Sequence, residues 1–115
     1  MFLFGPCIQP PVMAQINRVR YDYNRTFVCP TNKLQSEVDE RATYIFNTDD
    51  FSHNEFYRQF DNKETRGETL ARYTADEVVV DAWMNSPTHK AIILDEEWSQ
   101  GNVGKKGIYT VMWLK

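Results

Sequence analysis

Few residues in this chain could do chemistry on their own: two histidines, two cysteines and a scattering of carboxylates. His53 stands in Phe51-Ser-His-Asn54, at the mouth of an irregular stretch, and His89 stands in the first turn of a helix opened by Ser86-Pro87. The positive end of a helix dipole disfavours imidazolium, so His89 is expected to sit on the neutral side. A neutral imidazole serves as a metal ligand or as an uncharged hydrogen-bond donor. Each histidine also has a plain reading, as a surface or structural residue. The separations from His53 to Glu68 to His89 match no local metal motif, so any joint site must be assembled by the fold. No serine occupies a Gly-x-Ser-x-Gly elbow, no glycine loop suits a phosphate, and neither cysteine has a histidine beside it. From these residues alone the function stays open.

Cys7 and Cys29 have neither metal-site nor redox-motif spacing. A bond between them would close a loop of about twenty residues and contribute ~3 kcal/mol. Two thiols in a reducing compartment are the alternative, and the prolines beside both residues favour the bond.

The elements that must position these groups are legible from periodicity. Val12, Ile16, Val19 and Tyr23 follow Pro10-Pro11 at helical spacing and predict a first helix that fades near Asn24. Thr31 caps a second, with Leu34, Val38, Ala42 and Ile45 inward and Glu37, Asp39, Glu40 and Arg41 on the wet side. Residues 51–67 read as a long loop with one turn of helix, and residues 68–73 as a strand. Thr74-Ala-Asp-Glu77 matches a capping box, opening a helix with Val78, Val79, Ala82 and Trp83 on one face. Ser86-Pro87 opens another, with Ala91, Ile92 and Leu94 inward. Val103 and residues 108–114 lie in two closing strands joined at Lys105-Lys106-Gly107. Asp95-Glu-Glu97 reads as a solvated helix end, and Arg18, Arg20 and Arg25 as a solvated basic face.

At 115 residues the chain suits one domain, residues 1–115, with an irregular segment at 1–11. Seven Phe, six Tyr and three Trp exclude a disordered chain, and a net charge of −3 argues against a general nucleic-acid binder. No apolar run approaches the ~18 residues of a transmembrane segment. The apolar opening Met1-Phe-Leu-Phe-Gly-Pro-Cys-Ile8 lacks the basic lead and the length of a signal peptide. An export signal removed earlier, or release by another route, would account for that.

Four segments, in order, resemble the CAP (SCP) superfamily of cysteine-rich secretory, antigen 5 and pathogenesis-related proteins, and its compact bacterial branch most. Phe51-Ser-His53 resembles its first histidine motif, and Gly67-Glu-Thr-Leu-Ala71 its Gly-Glu-Asn-aliphatic-Ala motif. The stretch Trp83-Met-Asn-Ser-Pro-Thr-His89, within residues 78–94, is similar to the bacterial Trp-Met-x-Ser-Pro-x-His helix pair. Gly101-Asn-Val-Gly104 with residues 107–113 is similar to the closing strands.

This resemblance implies an α+β fold, a three-layer α–β–α sandwich with a small antiparallel sheet, in an extracellular or cell-surface protein. A phage or virion origin fits the same resemblance. It also implies a cleft lined by His53, Glu68 and His89. In many relatives such a cleft has two histidines and two glutamates and takes a divalent metal. Here the family's Gly-His-Tyr-Thr reads Gly107-Ile-Tyr-Thr110, the second glutamate is missing after Trp83, and Thr69 replaces an asparagine. Two imidazoles and one carboxylate still suffice for Zn2+ with an open position, which implies a hydrolase using Glu68 as ligand or base. The same cleft without turnover implies a module binding a protein or lipid ligand. A third reading is structural, with the cluster tying the loop to the sheet of a virion or cell-surface component. The departures weigh against catalysis. Phe46, Phe51, Phe56, Tyr57 and Phe60 either line a groove for a partner or pack the loop on the core.

Overall fold

The computed structural model describes residues 7–59 and 66–115. Their elements run in the order α1 (Pro11–Asp22), α2 (Asn32–Thr48), α3 (Asn54–Gln59), β1 (Gly67–Arg72), α4 (Asp76–Met84), α5 (Pro87–Ile93), β2 (Gly101–Lys106) and β3 (Tyr109–Leu114). The apolar opening at residues 1–6, and Phe60 with the rest of residues 60–65, lie outside the described residues.

β3 is apolar along most of its length because both of its faces are covered. It is the middle strand of an antiparallel sheet in the order β1-β3-β2. Alternate side chains leave a strand on opposite faces. Tyr109, Val111 and Trp113 therefore pack with Leu34, Val38, Ala42 and Ile45 of α2 and Phe56 of α3. Met112 and Leu114 pack on the other side, with Val12, Met13 and Ile16 of α1, Val79, Val80 and Trp83 of α4, and Ile93 of α5. The result is an α+β, three-layer α–β–α arrangement, as the resemblance implied.

Local chemistry sets the element ends. The Thr31 hydroxyl accepts from the Leu34 N–H at 3.2 Å and caps α2. Thr74 does not cap α4: its hydroxyl donates back to the Arg72 carbonyl, and Ala75 occupies the N-cap position. With the start displaced, Val79, Val80 and Trp83 turn inward, while Val78 and Ala82 are exposed. Similarly, Ile93 rather than Ala91 is the buried residue of α5. On α1, Met13, Asn17 and Arg20 join Val12 and Ile16 in the interior, whereas Tyr23 lies beyond the helix end and is 44% exposed. Lys105 and Lys106 belong to β2, so the hairpin turn is Gly107-Ile108. Gly107 has φ +58°, and a Cβ there would stand 2.5 Å from the Phe46 ring.

Gly104 lets α2 lie directly on the sheet, since a Cβ would come within 2.7 Å of the Val38 carbonyl oxygen. That obstacle is helix backbone and cannot rotate away. Gly104→Ala is therefore expected to cost about 1–3 kcal/mol, measured by urea unfolding. A cost indistinguishable from zero would show that α2 can move off β2.

Cys7 and Cys29 are bonded, with their Cα atoms 5.9 Å apart, and no free cysteine remains among the described residues. The bond anchors the segment before α1 beside β2, where the Cys29 carbonyl accepts from the Gly101 N–H.

Candidate functional site

Glu68 lies on β1 opposite Trp113 of β3, and its side chain points into the α2 side of the sheet with 0% exposure. A buried carboxylate needs partners, and four donors supply them. Arg41 of α2 donates Nε to Oε2 at 2.7 Å and Nη2 to Oε1 at 3.0 Å. Trp113 donates its indole N–H to Oε2 at 2.7 Å. His53 Nδ1 bonds Oε1 at 2.8 Å. Burial alone would raise the Glu68 carboxyl, but the hydrogen bonds from His53, Arg41 and Trp113 outweigh it and hold the group below its ordinary range.

Arg41 is a correction to the sequence reading, which placed it on the wet side of α2. Its side chain is 2% exposed. Position 41 falls on the same stripe as Leu34, Val38 and Ile45, so the helix turns it inward and Glu68 meets it there. Arg41 Nη2 also donates to the Ser52 carbonyl at 2.7 Å, which fixes the turn that carries His53. A carboxylate only accepts, so the proton between His53 and Glu68 lies on Nδ1. His53 is 36% exposed and lines the cleft, and Nε2 is the ring nitrogen not bonded to Glu68.

The cleft has a volume of about 360 Å³ and is lined by His53, Phe56, Tyr57, Ile92, Asp95 and Trp98, among others. Its far wall is held by two residues that sequence reasoning assigned to a solvated basic face. Arg20 is buried and donates Nη1 to the carbonyls of Ile93 at 2.6 Å and Asp95 at 2.8 Å. Arg25 donates Nε to the Leu94 carbonyl at 2.6 Å. Both satisfy acceptors left over at the end of α5. Trp98 then closes that wall, donating its indole N–H to the Ile92 carbonyl at 2.7 Å. Of the aromatics expected near the loop, Phe56 is buried against Trp113, Phe51 stacks on Tyr109, and Tyr57 and Phe46 are exposed.

The structure thus joins His53 to Glu68 by a hydrogen bond, whereas His89 bonds neither of them and has its Nδ1 bonded to Ser86 Oγ at 2.8 Å. The His89 imidazole is pushed below its ordinary value of 6.5 by burial first and by the charge of His53 second. Lowering was expected at a helix start, but these are the causes. The unfolded chain binds this proton more readily, so stability falls as pH drops from about 6.5 through the lower folded value. His53→Asn is expected to raise the NMR titration midpoint of His89, and His89→Asn to flatten that part of the pH–stability curve. An unchanged midpoint would show that the two rings do not interact.

Among the described residues no group of three or more His, Cys, Asp or Glu stands where it could hold a metal ion. The donor set falls short of a three-ligand zinc site: both Glu68 oxygens are taken, which leaves only the Nε2 atoms of His53 and His89, since Ser86 occupies His89 Nδ1 alone. Nor is any described helix long and apolar enough to cross a membrane.

The architecture is shared with solved structures. An extracellular protein containing an SCP domain, from Bacillus anthracis, aligns with a TM-score of 0.77 over 90% of this chain at 15% identity. A cysteine-rich secretory protein from Staphylococcus aureus gives 0.77 over 90% at 13% identity. The fold is that of an SCP domain. An outer surface protein from Borrelia burgdorferi shares this SCP fold, with a TM-score of 0.75 over 90% at 21% identity. The chain spans 38% of the Bacillus protein, 36% of the Staphylococcus protein and 87% of the Borrelia protein. No family model and no curated protein matches the sequence. The resemblance read from His53, Glu68 and residues 83–94 is borne out in the fold: in this SCP fold residues 83–94 form the end of α4, its turn and α5.

Proposed function

We propose that this SCP-fold chain is an extracytoplasmic binding module whose His53–Glu68 cleft holds a protein segment or lipid without turnover. One observation carries the reading. Glu68 is buried and accepts from three side chains, so it orients His53 and is not left as a free base, while the cleft beyond His53 is walled by Phe56, Ile92 and Trp98. Apolar walls with a few placed polar groups, here His53, Arg66 and Asp95, are the usual make-up of a ligand site. The Cys7–Cys29 bond supports an oxidising location, as do the descriptions of the similar proteins as extracellular, secretory or outer-surface.

The test is selection of a displayed random-peptide library on the immobilised protein, with a fluorescent fatty acid as a parallel probe. Binding that is lost in Ile92→Arg and kept in the distant variant Lys33→Glu supports the reading. Binding indifferent to Ile92 removes it. Cleavage of a bound peptide, followed by mass spectrometry, would replace binding with hydrolysis.

A further inference from the structure

We infer that the Arg41 guanidinium is the resident cation of the cleft, filling the place a metal ion would need on Glu68, so that the cleft works without metal and offers His53 Nε2 to a ligand's hydrogen-bond donor. This rests on the binding reading above and names the ligand chemistry of the same site.

A carboxylate has about four acceptor positions across its two oxygens. On Glu68 all are filled: Oε1 by Arg41 Nη2 at 3.0 Å and His53 Nδ1 at 2.8 Å, Oε2 by Arg41 Nε and Trp113 Nε1, each at 2.7 Å. The donors come from α2, from β3 and from the turn before α3, so no single side-chain rotation frees an oxygen. Arginine cannot give up its proton in a protein, so the positive charge beside Glu68 is permanent. A divalent ion on either oxygen would have to displace a donor and stand against that charge, where the carboxylate is 0% exposed.

His53 completes the argument. Its Nδ1–H is committed to Glu68, and a bound partner of this kind fixes the tautomer and orientation of an imidazole. In its neutral form His53 then presents Nε2 as an acceptor, beside apolar surface from Phe56, Ile92 and Trp98. A hydroxyl, amide or ammonium donor on a largely apolar body is the ligand chemistry that fits.

The experiment uses the intact, chelator-stripped protein. Long-range proton–nitrogen NMR of the His53 ring, recorded at a pH where the ring is neutral, is expected to show the Nδ1–H tautomer, with no change on adding one equivalent of Zn2+. Calorimetry with Zn2+ is expected to show no stoichiometric site that involves His53. An Nε2–H tautomer would overturn the inference. So would one equivalent of zinc that binds and shifts the His53 signals, whatever Glu68→Gln does to its affinity. Arg41→Gln is expected to let zinc perturb His53; should that variant not fold, the parent measurements still decide. Peptides selected as above should bind equally with and without chelator, and loss of binding under chelator would count against metal independence. If no peptide or lipid binds at all, the binding reading fails while the zinc and tautomer results stand on their own.

Discussion

Glu68→Ala is expected to destabilise the protein by about 3–5 kcal/mol, because it leaves the Arg41 guanidinium buried without a counter-charge. The same change strips Trp113 and His53 of their acceptor. Urea unfolding followed by circular dichroism reads the loss as a lower midpoint at unchanged slope. The double variant Arg41→Met, Glu68→Leu should recover much of it, since a buried ion pair is often replaceable by apolar groups of similar volume. If the double variant lost as much as the single one, the penalty would come from packing around Trp113 and not from the unpaired charge. The pair also has a pH signature. The folded Glu68 carboxyl lies below its ordinary value of 4.5. Its stabilisation is therefore fully present above about 4.5 and is lost as pH falls through the lower folded value. Glu68→Gln should remove that acid-limb slope along with part of the stability.

Opening the Cys7–Cys29 bond is expected to cost ~3 kcal/mol. The bond closes a loop across 22 residues that contains all of α1, so reduction releases the unfolded chain far more than the folded one. The matching fall in melting temperature is on the order of 10 °C for a domain of this size. Calorimetric scans with and without reductant, and of Cys7→Ser with Cys29→Ser, measure it. A shift within a degree or two would mean that α1 is held by its packing on α4 and by Arg20 alone.

These two effects differ in how far they can be read from residues. The disulfide was one of two open pairings of fact and compartment in the sequence, favoured by the prolines beside each cysteine. The Arg41–Glu68 pair was legible in principle and was missed. Leu34, Val38, Ala42 and Ile45 define a buried stripe, and position 41 falls within it. Reading Arg41 by its charge instead of its phase put it in water. Arg20 repeats the lesson on α1, where it follows Met13 and Ile16 round the buried side. A charged residue in phase with an apolar stripe is a signal that a partner waits inside: a carboxylate for Arg41, the carbonyls at the end of α5 for Arg20.

Local and periodic information in the chain determined much by itself. Thr31 as the cap of α2, Pro87 in the first turn of α5, the strand at β3 and the resemblance carried by residues 83–94 all follow from interactions within a few residues. The tertiary structure decided what meets across the fold. Glu68 and His53 are 15 residues apart, and Glu68 and Trp113 are 45 apart. Their contact depends on strand register and on the seating of α2 against Gly104. It likewise decided that Thr74 turns back to Arg72 instead of capping α4, and that His89 faces Ser86 while His53 faces Glu68. Side-chain type and spacing constrain which groups can bond. Which of them do bond is settled by the packing of distant elements, because a buried charge takes the partner that the assembled core brings within reach.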